Sequence, residues 1–208
     1  MDHPAKYTDK LLPVFEEILL SYGATTVLDC FAGTGKIHSL GFDSTGIEIE
    51  PEWANMHERN IIADARTMPF NAGSFDAVCT SPTYGNRMAD CHNAKDGSNR
   101  NTYTHILGRT LHDGNSGKMQ WGKTYRDLHS IAWAECYRVI KPNGIFILNM
   151  KNHVRAGTEI DVFGWHVSEL IKIGFRLREV RQVEVSGNGF GQNGSLRVPF
   201  EFVATLQR

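Results

Sequence analysis

The chain has 208 residues, an apolar fraction of 41%, and 22 Lys and Arg against 23 Asp and Glu for a net charge of -1. That length favours one compact domain, residues 1–208, with a substantial core, and the near-neutral charge argues against a protein that coats nucleic acid by bulk electrostatics. No apolar run approaches the roughly 20 residues of a membrane span and the first residues lack a signal pattern, so no membrane association and a cytoplasmic location are expected. Cys30, Cys79, Cys91 and Cys136 are widely spaced, and two of them sit in apolar runs where Cys acts as a small hydrophobe. Cys91-His92, with His105 and His112 downstream, lacks an accompanying C-x-x-C, and no metal is expected.

In chain order, Leu11, Leu12, Phe15, Ile18 and Leu19 recur at helical spacing and predict an amphipathic helix after a turn at 2–7. Thr26-Val27-Leu28 reads as a buried strand. Asp29-Cys30-Phe31-Ala32-Gly33-Thr34-Gly35 follows, with glycines that let the backbone turn tightly beside a ligand. Only 36–42 separates this loop from the next strand, which leaves room for about two helical turns. Ser44 to Glu50 is the second strand and Pro51 opens a helix, with Glu50 and Glu52 expected as solvated acids at its positive end. Ile61 to Ala65 is a third short strand ending in Asp64. Phe75 to Cys79 is the fourth, and it delivers Ser81-Pro82-Thr83-Tyr84 to its C-terminal end, where open α/β sheets bind ligands. Alone, those four residues also read as a polar turn.

Residues 85–123 break the pattern: they lack apolar periodicity and hold six Lys or Arg against three Asp. Arg87, Arg100, Arg109, Lys118 and Lys123, with Tyr103 and Trp121 between them, are expected to supply phosphate contacts and stacking in a basic insertion that orders on nucleic acid. A helix over 124–140, a turn at Lys141-Pro142-Asn143-Gly144, a strand at 145–148 and a polar loop at 151–157 come next. A second helix stopped by Gly174 carries His166 as a packed or surface residue. Residues 175–185 and 199–206 alternate like an antiparallel hairpin.

These segments resemble, in order, the motifs of SAM-dependent DNA amino-methyltransferases of the cytosine-N4 and adenine-N6 type, arranged as in the γ-like members (SAM, S-adenosylmethionine). His3-Pro4-x-Lys6 before a helix is similar to motif X. D-x-F-x-G-x-G, from Asp29 to Gly35, resembles motif I, and Gly46-Ile47-Glu48-Ile49-Glu50-Pro51 resembles motif II. Ser81-Pro82-Thr83-Tyr84 resembles the catalytic [D/N/S]-P-P-[Y/F/W], with Thr83 where the family usually has a second proline. Glu201 to Leu206 is like the family's final strand.

The resemblance implies a Rossmann-like class I α/β fold with a mixed seven-stranded sheet and a C-terminal antiparallel hairpin. It implies SAM held by His3, Lys6, Asp29, Phe31, Ala32, Gly33, Thr34, Gly35, Glu48 on the ribose, Ile49, Asp64 on the adenine, and Ala65. It further implies methylation of an exocyclic amine on a flipped or single-stranded DNA base in a bacterial, archaeal or phage-encoded protein, as a monomer or homodimer. Ser81 and the Pro82 carbonyl would accept the amine hydrogens and Tyr84 would stack on the base. RNA as the preferred nucleic acid, a protein-glutamine amide as substrate, or a binding module with a degenerate site are the alternatives; Thr83 motivates the last.

Overall fold

Five apolar runs become parallel neighbours in the computed structural model, which describes residues 8–86, 102–155, 157–185 and 199–208. They are β1 (Thr26–Asp29), β2 (Asp43–Glu48), β3 (Asn60–Ile62), β4 (Phe75–Thr80) and β5 (Ile140–Met150). A short ribbon pairs β6 (His153–Arg155) with β7 (Thr158–Ile160), and β8 (Arg176–Glu184) pairs with β9 (Phe200–Gln207). The main sheet has the order β3-β2-β1-β4-β5-β9-β8, with β9 antiparallel to both of its neighbours. This is the mixed seven-stranded α/β sheet with a C-terminal antiparallel hairpin that the resemblance implies.

Both faces of the sheet are covered, which is why its central strands read as continuous apolar runs. Successive strand residues point to opposite faces. Val78, Phe146 and Leu148 therefore join Ala132, Trp133 and Cys136 of α4 (Lys123–Val139) and Leu170 of α5 (Val162–Ile173). Their neighbours Ala77, Cys79, Ile145 and Ile147 meet Phe15, Ile18 and Leu19 of α1 (Leu12–Ser21) on the other side. Asp161 caps α5 by accepting from the Gly164 N–H, and Gly174 ends it.

Between β1 and β2 the chain makes a five-residue 3-10 turn, Lys36–Leu40, flanked by Gly35 and Gly41 at φ 82° and 77°. That is shorter even than the two turns for which the spacing leaves room. Lys141 to Gly144 does not form a separate turn: α4 runs directly into β5, Asn143 takes a left-handed φ of 66°, and Lys141 pairs with Asp76 at 2.7 Å. The polar loop expected at 151–157 is partly the β6–β7 ribbon.

The largest difference concerns the basic insertion. Residues 102–123 form α3 (Tyr103–Leu107) and a 3-10 turn, Ser116–Lys118. Tyr103 and Leu111 bury themselves with Trp53, which follows Pro51 in the one-turn helix α2 (Pro51–Ala54). Apolar anchoring at these two positions replaces the periodicity that the segment lacks. Among the described residues no helix is long and apolar enough to cross a membrane.

Candidate functional site

β1 and β2 end in the acids Asp29 and Glu48, Asp64 stands two residues past β3, and the fold sets the three in different surroundings. Asp29 is fully buried; its Oδ1 accepts from the Phe31 N–H at 3.0 Å and from the Thr80 hydroxyl at 2.7 Å. It therefore shapes the loop after β1 and ties that loop to the end of β4, behind the pocket wall and outside its lining. Glu48, 8% exposed, accepts from the N–H groups of Gly33 (3.0 Å) and Glu50 (2.9 Å) and faces the pocket. Burial pushes its carboxyl up to about 7 against the opposing pull of those N–H groups. Asp64 also lines the pocket, in a bidentate pair with Arg66 (2.5 Å to Nη2). Burial works to raise its carboxyl, but Arg66 holds it below the usual range.

The pocket encloses about 1050 Å3 including its mouth. Phe31, Ala32, Gly33, Thr34, Ile49, Ala63 and Ala65 form its inner wall, and Ser81 to Tyr84 stand at one end. Gly35 lies just behind, where an added Cβ would come within 2.7 Å of His38. The loop after β1, the end of β2 and the residues after β4 thus converge on one cavity.

The outer wall was not foreseen. Tyr103, Gly114, Asn115 and Ser116 close the cavity from the insertion. Tyr103 is 2% exposed and sits edge-on to Trp53 at 5.3 Å, so it is corrected from a stacking platform for nucleic acid to a pocket wall. Glu50 is corrected from a solvated acid to a fully buried one. It accepts from Arg109 (2.7 Å), the His112 N–H (2.8 Å) and Asn115 Nδ2 (2.9 Å). Arg109 also grips Glu52 at 2.5 Å, so its guanidinium is engaged by two carboxylates instead of being presented to phosphate. Lys118 and Lys123 stay at the surface, paired with Asp113 and Asp127 at 2.5 Å each. His3, Lys6, Arg87 and Arg100 lie outside the described residues.

The tetrapeptide is braced on every side. Asn149, at the end of β5, donates from Nδ2 to Ser81 Oγ (3.0 Å) and to Glu201 Oε2 on β9 (2.7 Å). The Tyr84 hydroxyl contacts both Ser81 and Glu201, and burial pushes it far above the ordinary phenol range. Pro82 is buried. Thr83 shares a hydrogen bond with Ser116 Oγ at 2.8 Å, and its carbonyl accepts from the Tyr125 hydroxyl at 2.5 Å. A threonine here costs the loop a proline's rigidity and gains it a tie to the outer wall.

Behind Thr83 runs a buried chain. The Trp133 indole donates to His166 Nδ1 at 2.9 Å, which leaves the ring proton on Nε2, 3.0 Å from the Tyr125 oxygen. Burial, aided by His129, holds His166 well below its ordinary range. His129 donates to the Tyr125 carbonyl at 2.8 Å and stacks on Phe31; burial lowers it to about 4. Trp121 is half-buried against Tyr125 and Trp165, and its backbone N–H donates to the Gly85 carbonyl at 2.7 Å. A faint sequence signal existed for Asn149, a polar residue at the binding-face end of an apolar strand. None existed for Asn115 or Ser116.

No family model matches the chain, and no curated protein matches it in sequence. Its fold is that of the class I SAM-dependent methyltransferases. Among solved structures it is similar to such a methyltransferase from Methanosarcina mazei, at 15% identity over 92% of this chain and 96% of that one, with a TM-score of 0.60. One from Mesorhizobium loti gives 14% identity, 96% and 98% coverage, and 0.53. SpnF, a 4+2 cyclase, gives 15% identity, 96% and 81% coverage, and 0.58. A fold that also carries a cyclase does not by itself fix a reaction.

Proposed function

We propose that this chain is a SAM-dependent methyltransferase that methylates the exocyclic amine of a DNA base, cytosine N4 or adenine N6. The observation that carries this reading is that Ser81 to Tyr84 share one cavity with Phe31 to Thr34 and with the buried Glu48.

The residues suit SAM. Glu48 offers two acceptor oxygens to a ribose diol, and Phe31, Ile49, Ala63 and Ala65 offer apolar faces to an adenine. The short 3-10 turn after the loop supplies no long helix N-terminus of the kind that holds a pyrophosphate. When bound, SAM supplies an electrophilic methyl group. An exocyclic amine is a weak nucleophile because its lone pair is delocalised into the ring. Ser81 Oγ and the Pro82 carbonyl accept its two hydrogens, turn the nitrogen toward tetrahedral geometry and aim its lone pair. Catalysis on this reading is orientation and electrostatics without a covalent intermediate. The base has to leave its stack to reach the cavity.

The test is nucleoside mass spectrometry on DNA from cells expressing the protein or its Ser81→Ala variant. Methylated amine in the first alone supports the reading and names the base; DNA unmodified in both sinks it. A free small amine is the second reading. It is favoured by the ion pairing of Arg109, Lys118 and Lys123, which leaves none of these cations without an acidic partner. RNA assayed in parallel separates the two nucleic acids.

A further inference from the structure

Methylating an amine creates a problem of proton disposal, and the three strands beside the catalytic loop hold groups suited to solving it. β4, β5 and β9 are consecutive in the sheet, and β9 runs antiparallel, so its beginning lies at the same edge as the ends of the other two. Ser81 follows β4, Asn149 lies near the end of β5, and Glu201 near the start of β9. Asn149 Nδ2 bridges Ser81 Oγ (3.0 Å) and Glu201 Oε2 (2.7 Å). The Tyr84 hydroxyl lies beside the same two side chains, so four polar groups gather at this end of the sheet. Glu201 is half-buried and has no Lys or Arg partner among the described residues. This places a carboxylate within the hydrogen-bonded surroundings of the proposed reaction centre, where a general base has to stand.

We propose that Glu201 is the terminal proton acceptor of amine methylation, reached from the substrate nitrogen through the hydroxyls of Ser81 and Tyr84. This rests on the amino-methyltransferase reading. The substrate nitrogen forms its bond to the methyl carbon as the carbon–sulfur bond breaks, with that electron pair left on sulfur. The methylated nitrogen then carries a positive charge and one proton too many. That proton passes to Ser81 Oγ as the Ser81 hydroxyl proton moves to Tyr84 Oη and the Tyr84 proton moves to the Glu201 carboxylate. Serine and tyrosine end neutral, Glu201 ends as a carboxylic acid, and exchange with solvent resets it. Asn149 moves no proton; it is a positioning residue that aligns the Ser81 oxygen and the carboxylate.

Glu201→Gln keeps an acceptor oxygen for Asn149 and removes the base. The expected result is a fall in kcat of about 100-fold with KM values within twofold. S-adenosylhomocysteine affinity by calorimetry should be unchanged, and an enlarged solvent deuterium effect on kcat should emerge. Tyr84→Phe, which keeps the ring and cuts the relay, should show the same split. Formate should restore part of the activity of Glu201→Ala, which a purely structural role does not allow. A wild-type protein that methylates DNA alongside an equally active Glu201→Gln overturns the assignment and leaves the proposed function standing. So does a Glu201→Gln protein that has lost S-adenosylhomocysteine affinity, if Tyr84→Phe keeps full kcat. A wild-type protein that methylates no amine overturns both.

Discussion

The two walls of the cavity are held by different kinds of contact. The inner wall is fixed by backbone: Glu48 binds the Gly33 and Glu50 N–H groups, and Asp29 binds the Phe31 N–H, all within a few residues or across adjacent strands. The outer wall is fixed by side chains over long separations. Glu50 reaches Arg109, His112 and Asn115, which lie 59, 62 and 65 residues away. Backbone contacts are spread over many residues and survive most substitutions, whereas the outer wall converges on one buried carboxylate.

Glu50→Ala should therefore have the largest effect. It leaves Asn115 and the His112 N–H without their acceptor and should cost about 3 kcal/mol in urea denaturation, together with a tenfold or greater loss of S-adenosylhomocysteine affinity. A variant that keeps both would show that the outer wall stands without this acid.

Glu48 sharpens the comparison through pH. Between its ordinary value of 4.5 and about 7, the folded protein holds a proton that the unfolded chain has released. The Glu48 contribution to ligand-free stability therefore falls as pH rises through that window. A ribose diol donates to the ionised form, so S-adenosylhomocysteine affinity should rise by up to about tenfold between pH 6 and pH 8. Glu48→Gln should flatten that profile, and an unchanged profile would remove the ionised carboxylate from the binding model. His129 has the opposite sign. Between 6.5 and about 4 the unfolded chain holds a proton that the folded ring refuses, so its contribution is lost as pH falls through that range.

Thr83→Val tests the contact that joins the two walls. Loss of the Ser116 hydrogen bond should cost about 1 kcal/mol and lower kcat severalfold, with S-adenosylhomocysteine affinity within twofold. Thr83→Pro removes the same bond and puts a proline's fixed φ in its place; turnover above that of Thr83→Val would show that loop rigidity substitutes for the tie. The smallest effects belong to Lys118→Ala and Lys123→Ala, whose exposed pairs should contribute within about 0.5 kcal/mol of stability. Each should instead reduce the salt slope of DNA binding by about one, and an unchanged slope would favour the small-amine substrate.

The strands and the inner wall were legible because their signals are local. Thr26-Val27-Leu28 announces a buried strand, and the loop after it needs only its own neighbours. Glu50 was misread for the same reason: beside Pro51 it has the pattern of a solvated helix-start acid, and nothing nearby reveals partners in a segment without periodicity. Tyr103 and Arg109 were read as a nucleic acid surface because a polar, basic stretch carries that meaning by composition. Two apolar anchors inside it, Tyr103 and Leu111, meet Trp53 and the buried Glu50, both distant in sequence, and turn the second part of it into a wall. Thr83 marked a departure from the family pattern, but only Ser116 and Tyr125 show what the hydroxyl and the carbonyl are used for.

The position of β9 has a consequence for how the chain is made. It is synthesised after β8, yet it seats between β8 and β5, and its Val203, Ala204 and Leu206 are fully buried there. As the protein leaves the ribosome, β5 exposes an unpaired edge until the segment around Phe200 to Gln207 emerges, however much chain follows it. Non-local pairing of this kind is slow and leaves a window in which β5 is open to another chain. Soluble yield should therefore depend on translation speed and chaperone supply more than on the stability of the finished sheet.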